Sequence, residues 1–208
     1  MSLQQKLTQD FFTRPDSVTI ARDLIGKHFF SSFDGVLTGG MIVETEAYSG
    51  LNDAACHAHL GRRTKRTQVM YEQGGIAYVY LIYGIHALFN IVTNAEGIAD
   101  AVLIRAIEPT EGIEEMQLRR GLTKVEPRLT AGPGLVTQAL GISTQHNGTD
   151  VNGNEIWFED RGVLVPEAQI VAGPRVGVAY AGADALLPWR FSLKGSRWVS
   201  KANPKYTL

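Results

Sequence analysis

Apolar positions follow a helical rhythm near the N-terminus and a strict alternation through the middle of the chain. In Pro15 to Ile25, Val18, Ala21, Leu24 and Ile25 share one stripe, with Pro15 in the first turn and Gly26 as the stop, which predicts a helix. Lys27 to Ser32 and Val36 to Tyr48 read as strands joined through Asp34-Gly35, a hairpin signal, with a bulge or bend at Gly39-Gly40. Alternation resumes over Gly75 to Tyr83, His86 to Thr93 and Ala101 to Ile107. The separators Tyr83-Gly84 and Asn94-Ala95-Glu96-Gly97 make this an antiparallel meander. Glu111 to Arg120, closed by Gly121, and Pro133 to Leu140, opened by Gly132-Pro133-Gly134, predict further helices. Ile156-Trp157-Phe158, Arg175 to Tyr180 and Trp189 to Leu193 read as later strands. The fold class is therefore α+β: a single compact domain over residues 1–208, with a curved, mostly antiparallel β-sheet and packed helices. Ser49 to Gly75 lacks either rhythm and is rich in Gly, Arg and His, and long loops of that kind tend to carry function.

Polar residues interrupt the apolar runs at a few places. Glu44, Glu46 and Tyr48 share one face of the strand ending at Tyr48, because side chains alternate along a strand. A carboxylate on a packed face is costly unless it is paired or working. Carboxylates two residues apart lie roughly 7 Å from each other, inside the range of about 5 to 9.5 Å used in glycoside hydrolysis, so glycosidic chemistry is the first to consider. Glu44 suits an ion-pair partner, and Glu46, beside Tyr48, is the stronger candidate for chemistry. Asn90, between Phe89 and Ile91, and Arg105, between Ile104 and Ala106, converge with Glu46 if their strands are neighbours. Arg105 would then compensate the buried carboxylate and let it act as a base. Tyr78 and Tyr80 share a strand face, whereas Tyr83 stands at a turn and should protrude. Tyr48 and Tyr80 as walls suit a planar heterocycle, with Tyr83 as a wedge outside, as an enzyme that takes a base out of a duplex requires.

Hydrophobic content of 44% and charged content of 20%, with no apolar run near the roughly 18 residues that span a bilayer, describe a soluble globular protein that needs no membrane. The segment Met1 to Asp10 has no apolar core of signal-peptide type, so cytoplasmic residence is expected. Cys56 is the single cysteine, which excludes a disulfide and a Cys-built metal site and reads as a small buried residue. The net charge of −1 argues against nonspecific coating of polyanions. Basic residues nevertheless cluster in Gly61-Arg62-Arg63-Thr64-Lys65-Arg66, and Arg190, Lys194, Arg197, Lys201 and Lys205 recur near the C-terminus.

Taken in order, IVETEAYSG at 42 to 50, Ala54 to His57, GRRTKRT at 61 to 67, YVYLIYG at 78 to 84, Asn90, LIRAIEP at 103 to 109, TAGPGLVTQALGI at 130 to 142, RVGVAYAG at 175 to 182 and WRFSLKGSRWVS at 189 to 200 resemble the 3-methyladenine (alkyladenine) DNA glycosylase family. The resemblance implies a monofunctional DNA glycosylase that flips alkylated purines, 3-methyladenine foremost and hypoxanthine or ethenoadenine as further candidates, out of duplex DNA. It would hydrolyse the N-glycosidic bond with an activated water and so start base excision repair. Glu46 would be the general base and Arg105 would help hold the water. Tyr48 would stack on one face of the flipped base, with His57 and Tyr80 on the other, and Asn90 would crowd the 2-position against guanine. Tyr83 would be the intercalating wedge, and Arg62 and Arg63 would contact DNA. No metal or cofactor is implied, and without a lysine among these residues no Schiff-base lyase step is expected. The partner is damaged double-stranded DNA, bound by a monomer, and the fold is the mixed α/β fold of that family, unlike the helix-hairpin-helix glycosylases. Thr67 stands where Asn is common and Arg197 where Pro is common, departures that bear on DNA contacts and substrate range rather than on the reaction. A sugar O-glycosidase using Glu44 and Glu46, and a noncatalytic damaged-DNA or RNA binding module, are the competing readings.

Overall fold

The computed structural model describes residues 5–201, so Lys205 and the start of the Met1 to Asp10 segment lie outside the described residues. The Asp34-Gly35 turn folds β2 (His28–Phe33) back onto β3 (Val36–Tyr48), with Phe33 opposite Val36 and His28 opposite Met41. Both turn residues take positive φ, 51° and 79°, as the tight hairpin turn requires. β3 is the strand around which the sheet is built. Its one edge pairs with β6 (Asp100–Glu111) from Gly39 to Tyr48. Its other edge pairs first with β2 and then, at Glu44 to Glu46, with β9 (Arg190–Leu193). β4 (Ala77–Ile82) and β5 (His86–Thr93) complete the expected meander with β6. β7 (Ile156–Asp160) pairs with β2 and with β1 (Gln5–Lys6), while β8 (Ile170–Gly173) pairs with β9. The described strands thus form one antiparallel, nine-stranded sheet that does not close.

Small residues decide where the register slips. A Cβ on Gly39 would lie 2.1 Å from the Phe30 ring, and one on Gly40 would lie 2.1 Å from the Glu108 carbonyl oxygen. Only glycine lets the neighbouring strands approach this closely, and the register shifts between these two positions as expected of a bulge. Pairing continues past them to Glu111, so β6 runs longer than the apolar run Ala101 to Ile107 predicts. Two further shifts flank Glu44, which pairs with Ala106 while Thr45 pairs with Ile104. Arg105 therefore sits at the irregularity, between the partners of Glu44 and Thr45.

α1 (Gln9–Phe12) precedes α2 (Ser17–Asp23), whose N-cap Asp16 accepts a hydrogen bond from the Val18 N–H at 2.9 Å. The cap moves the helix start two residues past Pro15. α2 covers β3 and β6, and Thr45 anchors it by donating to the Ala21 carbonyl. α3 (Ile113–Arg120) and α4 (Pro133–Leu140) pack on each other, and α4 lies on β5 and β6. Between helices and sheet, the Phe29 ring stands 4.7 Å from both the Phe89 and the Phe158 rings, and Phe12 closes the cluster on Phe158. Fully burying one such side chain contributes about 1.5–3 kcal/mol. Among the described residues no helix is long and apolar enough to cross a membrane.

One expected strand is absent. Arg175 to Tyr180 is irregular and leads into a 3₁₀ stretch over Ala179–Leu186. Pro174 removes a ladder donor and Gly177 takes a φ of 78°, so the alternation there could not propagate as β structure. The 49–75 interval contains no strand; it is built of turns, with 3₁₀ stretches at His59–Gly61 and Gln68–Tyr71.

Candidate active site

The irregularity in β3 and β6 aims Glu44 and Glu46 at the same guanidinium. Arg105 donates from Nε to Glu44 Oε1 at 2.9 Å and contacts Glu46 Oε1 through Nη1 at 3.2 Å, with both carboxylates fully buried. Burial opposes the Arg105 charge, but Glu46 and Glu44 together overcome it and hold the guanidinium protonated above its usual range. The two carboxylates then diverge. Glu44 is spent on Arg105, on the Ser200 N–H at 2.8 Å and on Arg190 at 3.4 Å, and it does not line the cavity. Glu46 lines it. Its Oε1 accepts from the Val176 N–H at 2.7 Å and forms an ion pair with Arg105, and its Oε2 accepts from the Tyr48 hydroxyl at 2.8 Å. An ionised carboxylate offers about four lone-pair sites, so one site on Oε2 is left unused among the described residues. The carboxylate pair expected for sugar hydrolysis does not face one cavity, because Glu46 lines it and Glu44 does not.

The cavity measures about 560 Å³, within the common range of about 300–1,000 Å³ for small-ligand pockets. β4 brings Tyr78 and Tyr80 to its wall with ring centres 5.2 Å apart, and the 49–75 loop brings His57 edge-on to Tyr80 at 4.7 Å. The His57 imidazole is tied by Nδ1 to the Tyr78 hydroxyl at 2.9 Å, while Arg66 reaches its Nε2 at 3.4 Å. An arginine only donates, so Nε2 is the acceptor and the proton sits on Nδ1. Burial first and the Arg66 charge second pull the His57 pKa down to about 4. Burial also pushes the Tyr78 phenol up to about 12, and burial with the Glu46 charge pushes Tyr48 well above the usual range. Asn90, in the middle of β5, lines the cavity and donates to the Tyr78 carbonyl at 3.2 Å. Tyr83 stands at the rim, on the turn between β4 and β5, 71% exposed and with a φ of 54°.

Over residues 10–197 the chain matches the methylpurine-DNA glycosylase family. The chain belongs to that family. Curated relatives agree over nearly their whole length. One from Methanocella arvoryzae is 46% identical over 199 residues, covering 95% of this chain and 97% of its own. Those from Clostridium acetobutylicum and Bacillus cytotoxicus are 43% and 42% identical, covering 94% and 91% of this chain and 97% of theirs. All three carry the provisional name of 3-methyladenine DNA glycosylase. The protein is accordingly a DNA glycosylase, a hydrolase of N-glycosyl bonds, with DNA as its substrate. The readings as a sugar O-glycosidase and as a noncatalytic module give way to it.

Of the residues the sequence singles out in this glycosylase, Glu46, Tyr48, His57, Tyr80, Asn90 and Arg105 line one cavity, and Tyr83 sits at its mouth. Arg62 and Arg63 stand apart, exposed on the loop beside it. The Arg63 guanidinium lies 3.9 Å from the centre of the Tyr71 ring, and Arg62 borders a side pocket with His59 and Arg66. Cys56 is buried at the cavity wall, and burial pushes its thiol up to about 12, as suits a packing residue. Arg66 and Val176 are among the cavity residues that the sequence does not single out. Arg66 stacks 4.5 Å from the centre of the Tyr80 ring, yet in sequence it is one of several cations in a loop. Val176 acts through its backbone N–H, for which side-chain identity carries no signal.

Proposed function

We propose that this glycosylase everts an alkylated purine, 3-methyladenine foremost, from damaged duplex DNA and hydrolyses its N-glycosidic bond with a water activated by Glu46, starting base excision repair on chromosomal DNA. The observation that carries this reading is the Glu46 carboxylate itself. It is fully buried, lines the cavity, is braced by Arg105, Val176 and Tyr48, and keeps on Oε2 an acceptor site to which a water can donate. Glu46 takes a proton from that water as the water attacks the anomeric carbon, and its charge opposes the oxocarbenium character that develops on the sugar. Arg105 orients the carboxylate and helps hold the water. The flipped base stacks on Tyr48, with His57 and Tyr80 across from it, and electron-rich ring faces favour a cationic base. Asn90, fixed by the Tyr78 carbonyl, occupies the space that a 2-amino group would need. Tyr83 fills the gap left in the duplex, and Arg62 and Arg63 engage phosphates.

The titrating groups of the cavity favour cationic lesions over neutral ones. His57 is neutral above about pH 4, and the Tyr48, Tyr78 and Tyr80 phenols are all held above their usual range. None is a good proton donor to a neutral leaving group at neutral pH, and a 3-alkylated purine needs none. Hypoxanthine and ethenoadenine should therefore leave more slowly than 3-methyladenine. The test of the whole reading is Glu46→Gln, which keeps shape and loses the base. Single-turnover release of free base from methylated DNA should fall by about 10² to 10⁴ while lesion binding survives. Excision within about threefold of wild type, far short of that loss, would overturn the assignment.

A further inference from the structure

We infer that the buried Arg175–Asp53 ion pair is the positioning element of the catalytic centre, setting Tyr48 and the Val176 amide against Glu46. The inference rests on the reading of Glu46 as the base. Both side chains are 0% exposed and are joined at 2.5 and 2.7 Å, and neither lines the cavity. The pair ties together segments far apart in sequence. Arg175 donates to the Ala47 carbonyl at the end of β3 and to the Asp184 carbonyl in the 3₁₀ stretch. Asp53 accepts from the Ser49 and Ala55 N–H groups, which shapes the loop that carries His57. The Asp184 carboxylate closes the circuit by accepting from the Ala54 N–H.

What the pair holds is the surroundings of the base. The Arg175 guanidinium lies 4.8 Å from the centre of the Tyr48 ring, whose hydroxyl donates to Glu46 Oε2. The next residue, Val176, donates its N–H to Glu46 Oε1. The two hydrogen-bond donors on Glu46, the Tyr48 hydroxyl and the Val176 N–H, are thus fixed by this pair, and its ion-pair partner Arg105 is fixed separately by Glu44. A buried ion pair is often no better for stability than apolar side chains of the same volume, because desolvation cancels the attraction. A bidentate Arg–carboxylate fork does supply direction, which a lysine ammonium cannot reproduce.

The experiment compares Arg175→Lys and Asp53→Asn with wild type, and with Glu46→Gln in parallel, in single-turnover excision on methylated duplex DNA. Circular dichroism melts establish that each variant is folded at the assay temperature. A misplacement of catalytic groups by about 1 Å can cost about 10²-fold in rate. The rate constant at saturating enzyme should therefore drop at least about 10-fold in both variants, while the enzyme concentration giving half the maximal rate stays within about twofold. The double variant should be no slower than the worse single one, since the two residues act as a unit. A role confined to stability predicts lower melting temperatures with an unchanged rate constant for the folded protein, and that result overturns the inference. So does a loss carried by half-saturation alone, or failure of both variants to fold, because the pair would then serve binding or the fold itself. If Glu46→Gln still excises, the base assignment fails first. If it is inactive while the folded pair variants remain fast, only the positioning role is lost.

Discussion

At the scale of single residues, the site is organised by what burial does to charge. Removing one partner from a buried ion pair costs about 3–5 kcal/mol, so Arg105, Glu44 and Glu46 stand or fall together. Their roles separate only through exposure to the cavity. His57 offers a second consequence of burial. Its pKa in the folded protein, about 4, lies below the ordinary 6.5 that it regains on unfolding. The unfolded chain therefore binds the extra proton between these values. Stability from this group is complete above about pH 6.5 and is lost as pH falls through about 4. The melting temperature should decline between pH 7 and 4, and His57→Gln should remove part of that slope. An imidazole titration by NMR should give a midpoint near 4 rather than 6.5, and a midpoint near 6.5 would contradict the neutral, Arg66-bonded ring.

At the scale of elements, β4 and β5 show how a hairpin divides labour. Tyr78 and Tyr80 face the cavity from β4, and the turn that follows places Tyr83 outside at the rim. A residue with a β-carbon at a φ of 54° is uncommon, and Gly84 beside it, at 71°, lets the turn stay tight. Everting a base costs a few kcal/mol of pairing and stacking, part of which a ring in the gap recovers. Tyr83→Ala should weaken capture of a lesion in a matched duplex more than in a mismatched one, where the target is already unpaired. Equal losses in binding titrations on the two duplexes would show that Tyr83 is not the wedge.

At the scale of the molecule, a net charge of −1 conceals a local asymmetry, with residues 61–66 exposed and carrying four cations beside the cavity. Phosphate contacts act by releasing counterions, with a slope of about −0.9 per contact in log affinity against log salt. Replacing Arg62 and Arg63 by Gln should lower affinity for any duplex and flatten that slope between about 50 and 200 mM salt. A wild-type slope in the double variant would remove these residues from the DNA face. The wedge and the loop are thus told apart, one by the state of the duplex and the other by ionic strength.

The sequence alone determined the elements whose signals are local. Alternation marked β3 and β5 to the residue, Gly132-Pro133-Gly134 opened α4, and Asp34-Gly35 marked the hairpin. It also determined which residue types could do chemistry, since a carboxylate or an asparagine in an apolar run is conspicuous wherever it folds. The sequence favoured Glu46 over Glu44, but only the tertiary structure supplies the difference in their surroundings, because two residues of one type on one strand differ in what other strands and loops bring to them. Glu46 lines the cavity, and Glu44 is turned to Arg105, Arg190 and Ser200. The tertiary structure likewise turned Arg175 away from a strand and into a buried pair with Asp53, a partner 122 positions away. Contacts of that separation leave no periodicity in the chain. They are chosen by which buried charges the finished fold can satisfy, and that choice exists only once the sheet and its loops have assembled around them.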